Sequence, residues 1–281
     1  MKSKHLGVYA LLLGSLLVFC APVLAAEEAS VAVTEQGRVT LVSAAGHVTP
    51  GQPLELGLLF QLEPDWHIYW RNPGDAGMPP QATWDLPPGF EAGAIQWPAP
   101  RRFPDGPLMS YGYDGEVLLP VRINVPAPLD TDEVVLRVRL QWLACKAICV
   151  PGRAELTLRL PTTPGTPAPD VAAHFARARA ALPTSAHALP FTARADDQQI
   201  TLMVALPPQW RGADFEDAWF YAADGSLAPA APQVWQVHPD GLSLTLPWAH
   251  GRPEPLPAAL EGVLVLPFRD HLALAVTAEW L

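Results

Sequence analysis

The sequence predicts an all-β protein: an antiparallel β-sandwich, then a second β-domain, with a short helical connector between them. Three observations predict this class. Apolar and polar residues alternate strictly over several short stretches, which puts one face of each strand in a core. Proline accounts for 33 of 281 residues, and a residue shut out of helix interiors and central strands favours short strands joined by fixed turns. Hydrophobic residues reach 49% and charged residues only 16%, enough apolar surface to build a core and too much for a disordered chain.

Taken in order, Lys2, Lys4 and His5 precede an apolar run from Leu6 to Phe19, and Val23-Leu24-Ala25 ends in small residues. Charge, apolar run and cleavage pattern in that order describe a secretory signal peptide over residues 1–26, with cleavage expected near Ala25 or Ala26. The run is short for a spanning helix, which needs about 20 residues, and no later segment is apolar for as long. The mature chain is therefore expected to be exported and without a membrane span. Its formal charge goes from −10 to −12 when the two leading lysines are removed, and Lys146 remains as its only lysine. A chain so acidic lacks the basic face of a nucleic-acid binder.

The first β-domain is expected over residues 34–162. Leu54, Leu56, Leu58, Phe60 and Leu62 share one face of a strand. Val117 to Ile123, Val134 to Trp142 and Ala154 to Leu160 repeat the alternation. Asn72-Pro73-Gly74-Asp75 and Pro87-Pro88-Gly89 read as turns. Residues 163–183 are expected to form a linker, within the Pro/Thr stretch that starts at Pro161, and then a short helix. Asp170 can cap that helix and Pro183 ends it, with Val171, Phe175, Ala178 and Leu182 on one face. The second β-domain is expected over 184–281. Its strand candidates are Ile200 to Leu206, Trp219 to Tyr221, Leu242 to Leu246, Leu260 to Leu266 and Leu272 to Ala278.

After the leader two cysteines remain, Cys145 and Cys149, in Trp142-Leu-Ala-Cys-Lys-Ala-Ile-Cys-Val-Pro151. In an exported chain an even count points to a disulfide. As a staple it would contribute little, because closing so short a loop removes about 2 kcal/mol of unfolded-state entropy. A bond over three residues at the end of a strand suits a redox pair, made to open and close; an inert structural disulfide is the alternative. Lys146 would favour a thiolate beside it. The spacing is not Cys-x-x-Cys and no βαβ pattern surrounds it, so a thioredoxin fold is not expected.

Three motifs carry a resemblance: Tyr69-Trp-Arg-Asn-Pro-Gly-Asp-Ala-Gly77, Tyr111-Gly-Tyr-Asp-Gly-Glu-Val-Leu-Leu-Pro120, and the cysteine segment itself. Together they resemble the periplasmic N-terminal domain of the thiol:disulfide interchange protein DsbD family, and more closely its ScsB-like, copper-sensitivity suppressor branch. The resemblance implies an immunoglobulin-like sandwich with Cys145 and Cys149 as its active pair on an exposed edge. It implies a periplasmic relay that takes electrons from a membrane-embedded thiol reductase and reduces thioredoxin-fold proteins, as one component of a protein-disulfide reductase. No cofactor is implied. In DsbD a Phe-Tyr-Gly loop caps the cysteines. Here Ser110 stands where the Phe would be, so a cap would fall to Met109 or Tyr111. Family proteins usually continue into a membrane domain and a thioredoxin-like domain. A chain ending at Trp280-Leu281 would then be either a stand-alone relay or a truncated member.

Other constellations are plainer. Trp66, His67, Tyr69 and Trp70 read as core and edge packing, with a recognition surface as the alternative. Met78, Met109, His67 and the two cysteines are ligand types for Cu(I), which keeps a copper-handling protein as a rival reading, although they are scattered and no metal motif is expected. No nucleophile elbow, P-loop, dinucleotide fingerprint or zinc motif is present.

Overall fold

A computed structural model describes residues 30–165, 169–185, 189–205, 210, 215, 217–239, 241–267 and 272–281. The expected signal peptide lies outside these residues, as does Leu206 of the predicted strand from Ile200.

In chain order the strands before the helix are β1 (Val31–Thr34), β2 (Gly37–Ser43), β3 (Leu54–Leu62), β4 (His67–Gly74), β5 (Gln81–Asp85), β6 (Glu91–Ile95), β7 (Arg101–Asp105), β8 (Leu108–Asp114), β9 (Glu116–Asn124), β10 (Glu133–Cys145) and β11 (Cys149–Pro161). Helix α1 (Pro169–Ala181) follows. Then come β12 (Thr184–Ser185), β13 (Phe191–Ala195), β14 (Gln199–Ala205), β15 (Trp219–Ala222), β16 (Val234–His238), β17 (Gly241–Pro247), β18 (Leu260–Val265) and β19 (Ala273–Trp280).

Among the described residues the protein is all-β apart from that helix. One sheet runs β1-β2-β3-β9-β6. A second runs β11-β10-β4-β8-β7, with β5 also pairing β10. Their facing sides supply one core: Leu54, Leu56, Leu58, Phe60, Leu119, Val121 and Ile123 from the first sheet meet Ile68, Trp70, Val134, Leu136, Val138, Leu140 and Trp142 from the second. This is the immunoglobulin-like sandwich, and the alternating residues of β3, β9 and β10 are what fill it.

The predicted strands are present, but the Asn72-Pro73-Gly74-Asp75 turn is not a simple one. Strand β4 runs on through Gly74, with a register shift against β8 between Tyr69 and Gly74. Asn72 is 6% exposed. Both protons of its amide go to carbonyls of a distant segment, those of Ala222 and Asp224, while its own oxygen accepts from the Gly74 N–H. Asn72 thus ties β4 to the third sheet through its amide protons while its oxygen closes a local turn onto Gly74.

Helix α1 covers the outer side of the first sheet. Phe175 and Ala178 pack on Val42, Leu59 and Leu118, with Val171 at the margin; burying Phe175 contributes about 2 kcal/mol. Arg177 and His174 reach Glu116 at 2.6 and 2.7 Å.

The third sheet runs β15-β18-β19-β13-β14-β17-β16, with β12 beside β19. Two of its pairings, β12 and β13 with β19, are parallel. It has its own core around Leu202, Phe220, Leu244 and Leu264, yet Tyr221, Val263 and Ala273 belong to the sandwich core. Tyr221 meets Trp70 and Tyr111 edge to face, at 6.1 and 4.9 Å between ring centroids. Arg102 lies 4.2 Å over Trp219.

Candidate functional site

The cysteines close the longest hairpin among the described residues. Strands β10 and β11 stay in register over thirteen pairs, from Glu133 opposite Pro161 to Cys145 opposite Cys149. Lys146, Ala147 and Ile148 form the turn, and the Lys146 N–H donates to the Ile148 carbonyl at 3.1 Å. The sulfurs are bonded to each other, with the Cα atoms 4.1 Å apart, as expected for residues directly opposite across antiparallel strands. Beneath this tip, Trp142 opposes Gly152. A Cβ on Gly152 would sit 2.1 Å from the indole, so the glycine leaves the space that the tryptophan fills.

The two sulfurs have unequal surroundings. Cys145 is 3% exposed, and Cys149 is exposed beside Ile148, which is itself 69% exposed. The odd-numbered residue Cys145 points away from the sandwich core that Leu140, Trp142 and Ala144 face. What buries it is a side chain from β4. The Tyr69 hydroxyl donates to Cys145 Sγ at 2.8 Å and lies 3.6 Å from Cys149 Sγ. Burial pushes the Tyr69 phenol up, with the Ser110 hydroxyl partly offsetting it, so the group stays protonated and remains a donor. Gly77, at a φ of +119°, lies against this ring; a Cβ there would be 2.2 Å from it. The first and last residues of the motif from Tyr69 to Gly77 therefore act together: one reaches the sulfur and the other makes room for it.

His67 completes the outer face. Cys149, Cys145, His67 and Asp114 lie in register on four adjacent strands, β11, β10, β4 and β8. Its ring stacks on Phe103 at 4.5 Å and meets Tyr69 edgewise at 5.3 Å. Burial lowers the His67 pKa, against the opposing pull of Asp114 and Asp105.

The other residues singled out in the sequence fall around this centre. The Lys146 ammonium pairs with Asp65 at 2.8 Å and donates to the Pro64 carbonyl, pinning the tip to the turn between β3 and β4. Tyr111 points to the third sheet: its hydroxyl donates to the Pro229 carbonyl at 3.3 Å. Met109 opposes Pro104 on β7, and its N–H donates to Asp75. The hydroxyl that covers the inner sulfur is that of Tyr69, which the sequence offered as a member of an aromatic cluster and as the first residue of a resemblance motif, without a role at the sulfur. A period-2 reading from Cys145 through its strand partner could have found it only with the pairing in hand. Trp70, from the same cluster, is a fully buried core residue. Among the described residues no group of three or more His, Cys, Asp or Glu side chains is placed to hold a metal ion, and no helix is long and apolar enough to cross a membrane.

This arrangement supports thiol–disulfide chemistry. An exposed sulfur is open to a thiolate, and the sulfur it would release sits against a hydroxyl donor. Comparison with known proteins agrees. No curated protein matches the chain in sequence. The crystal structure of the N-terminal periplasmic domain of ScsB from Proteus mirabilis is similar in fold, with a TM-score of 0.63 and 20% identity, over 88% of this chain and 94% of that one. The family model described as "Thiol:disulfide interchange protein DsbD, N-terminal" matches residues 36–161, the stretch that carries the sandwich and both cysteines. Residues 36–161 are thus a DsbD-family N-terminal domain.

Proposed function

We propose that the chain is a periplasmic relay that carries electrons from a membrane-embedded thiol reductase to thioredoxin-fold proteins through Cys145 and Cys149. The observation that carries this reading is the unequal burial of the bridge: Cys149 exposed at a hairpin tip, Cys145 covered with a Tyr69 hydroxyl on its sulfur. In the loading step a donor thiolate attacks Cys149 Sγ and a mixed disulfide forms. The electron pair of the old bond leaves on Cys145 Sγ, where the Tyr69 hydroxyl stabilises it. A second donor thiol then displaces Cys149, and the reduced pair is ready. In the unloading step Cys149 attacks the partner disulfide and Cys145 resolves the product. Lys146 serves in this reading as a positive charge beside the pair, shared with Asp65. Membership of the DsbD N-terminal family supports the exchange chemistry, and the fold shared with a periplasmic ScsB domain supports the compartment.

The test is a reduction potential together with trapping. A relay should equilibrate with mild dithiols above about −300 mV, where inert structural bridges do not. A Cys145→Ser variant should accumulate a mixed disulfide with its partner through Cys149, and Cys149→Ser should not. A bridge that resists dithiols, or partner reduction that survives loss of both cysteines, overturns the reading. In the same assays Lys146→Ala should raise the apparent thiol pKa, and an unchanged value removes Lys146 from the chemistry.

A further inference from the structure

The row across the outer face holds more than the two sulfurs. Cys145 lies directly opposite His67, and His67 directly opposite Asp114. Side chains opposed in this way share a face, with Cβ atoms about 4.5–5.5 Å apart. A cysteine sulfur, an imidazole and a carboxylate thus stand in line on three adjacent strands. The imidazole is held by two rings, stacked on Phe103 at 4.5 Å and meeting the Tyr69 ring edgewise at 5.3 Å. We infer that His67, backed by Asp114, accepts the proton of the Cys145 thiol and holds it while that sulfur acts as a thiolate. The inference rests on the exchange reading above and assigns the proton that the reading leaves unplaced.

After Cys149 has joined a partner sulfur, Cys145 is a thiol. Its proton passes to the neutral His67 ring, giving a thiolate beside an imidazolium that faces the Asp114 carboxylate. The thiolate attacks Cys149 Sγ, the Cys145–Cys149 bond forms, and the bond from Cys149 to the partner breaks. Its electron pair leaves on the partner sulfur, and the proton from His67 ends there through solvent. Loading runs the same transfers in reverse. The charged groups around the ring are consistent with a base that is neutral in the oxidised protein and charged beside a thiolate. Burial disfavours the imidazolium, while Asp114 and Asp105, from β8 and β7, favour it. Arg101 pairs with Asp114 at 2.9 Å, burial keeps the Tyr69 phenol protonated, and Lys146 is paired with Asp65.

Two measurements on the full chain test this. Nuclear magnetic resonance of the His67 ring, followed through pH in the oxidised protein and after reduction with dithiothreitol, should show His67 titrating at higher pH in the reduced state; the shift should vanish in Cys145→Ser. Stopped-flow reaction of the reduced protein with oxidised glutathione should show the resolving step about tenfold slower in His67→Gln near pH 6.5, and equal to wild type by about pH 9, where a thiol ionises unaided. A merely structural role would slow the step equally at both pH values and leave the ring titration the same in both redox states. Identical titration in both states overturns the inference even if exchange itself proceeds. A bridge that dithiothreitol cannot open overturns the exchange reading instead.

Discussion

Replacing Tyr69 with Phe removes one atom from the environment of the inner sulfur and leaves the packing intact. The ring continues to fill the space above Gly77, and the backbone pairings of β4 with β8 and β10 are untouched. What disappears is the hydroxyl 2.8 Å from Cys145 Sγ. A hydrogen bond to a charged acceptor is worth about 1.5–3 kcal/mol, and one to a neutral acceptor about 0.5–1.5. The difference, roughly 1–1.5 kcal/mol, is the extra stabilisation that the thiolate receives over the disulfide. It corresponds to about one unit in the Cys145 thiol pKa. For a two-electron couple, losing it in Tyr69→Phe also makes the potential roughly 20–30 mV more negative wherever the thiolate is the reduced form. The assay is ultraviolet thiolate absorbance across pH, on Tyr69→Phe and on wild type, each carrying Cys149→Ser so that only Cys145 titrates. Equilibration of the two-cysteine forms against glutathione gives the potential. Cys145 should titrate about one unit higher in Tyr69→Phe. An unchanged titration, with the fold retained, would falsify the claim that this hydroxyl stabilises the leaving sulfur.

Two further outcomes concern the junction of the sandwich with the third sheet. Asn72→Ala strips the carbonyls of Ala222 and Asp224 of their buried donor, which should cost about 2–3 kcal/mol in urea unfolding of the full chain; a loss below about 0.5 kcal/mol would mean that these bonds do not hold the junction. Tyr111 and Tyr221 meet edge to face at this junction, and burial raises both phenols to about 12. A folded-state pKa above the unfolded value of about 10 stabilises the fold below pH 10, and that stability is lost as pH rises toward 12, on the order of 2–3 kcal/mol for each tyrosine. Alkaline unfolding monitored by tyrosinate absorbance should therefore steepen from about pH 10 and be shallower in Tyr221→Phe; equal curves for the two proteins would contradict it.

Where one face of a strand is buried, the sequence was legible. Leu54 to Leu62, Val117 to Ile123 and Val134 to Trp142 alternate because one side meets the opposing sheet, and each stretch is a strand. Helix α1 was equally readable, from Asp170 at its start, Phe175 and Ala178 on its buried face and Pro183 beyond its end. Strand β4 was not. Ile68, Tyr69, Trp70 and Asn72 are all buried, some against the sandwich core, one against sulfur and one against the third sheet. Burial on both faces erases the alternation by which a strand is recognised, and what remained looked like an aromatic cluster before a turn.

The same distinction holds at the cysteines. Their spacing and the strand leading into them are local facts, and a chain of letters carries local facts well: two cysteines with three residues between them, at the end of an alternating run, in a protein too large to need a staple. Which sulfur faces outward, which hydroxyl meets the inner one, and why His67 and Asp114 stand in the same row are consequences of pairing between distant strands: His67 lies opposite Cys145, 78 residues on, and opposite Asp114, 47 residues on. Register between distant strands is set by the packing of the whole sheet, since shifting any strand by one residue would turn each of its side chains to the opposite face. The linear order of residues contains no such information until the sheet has closed.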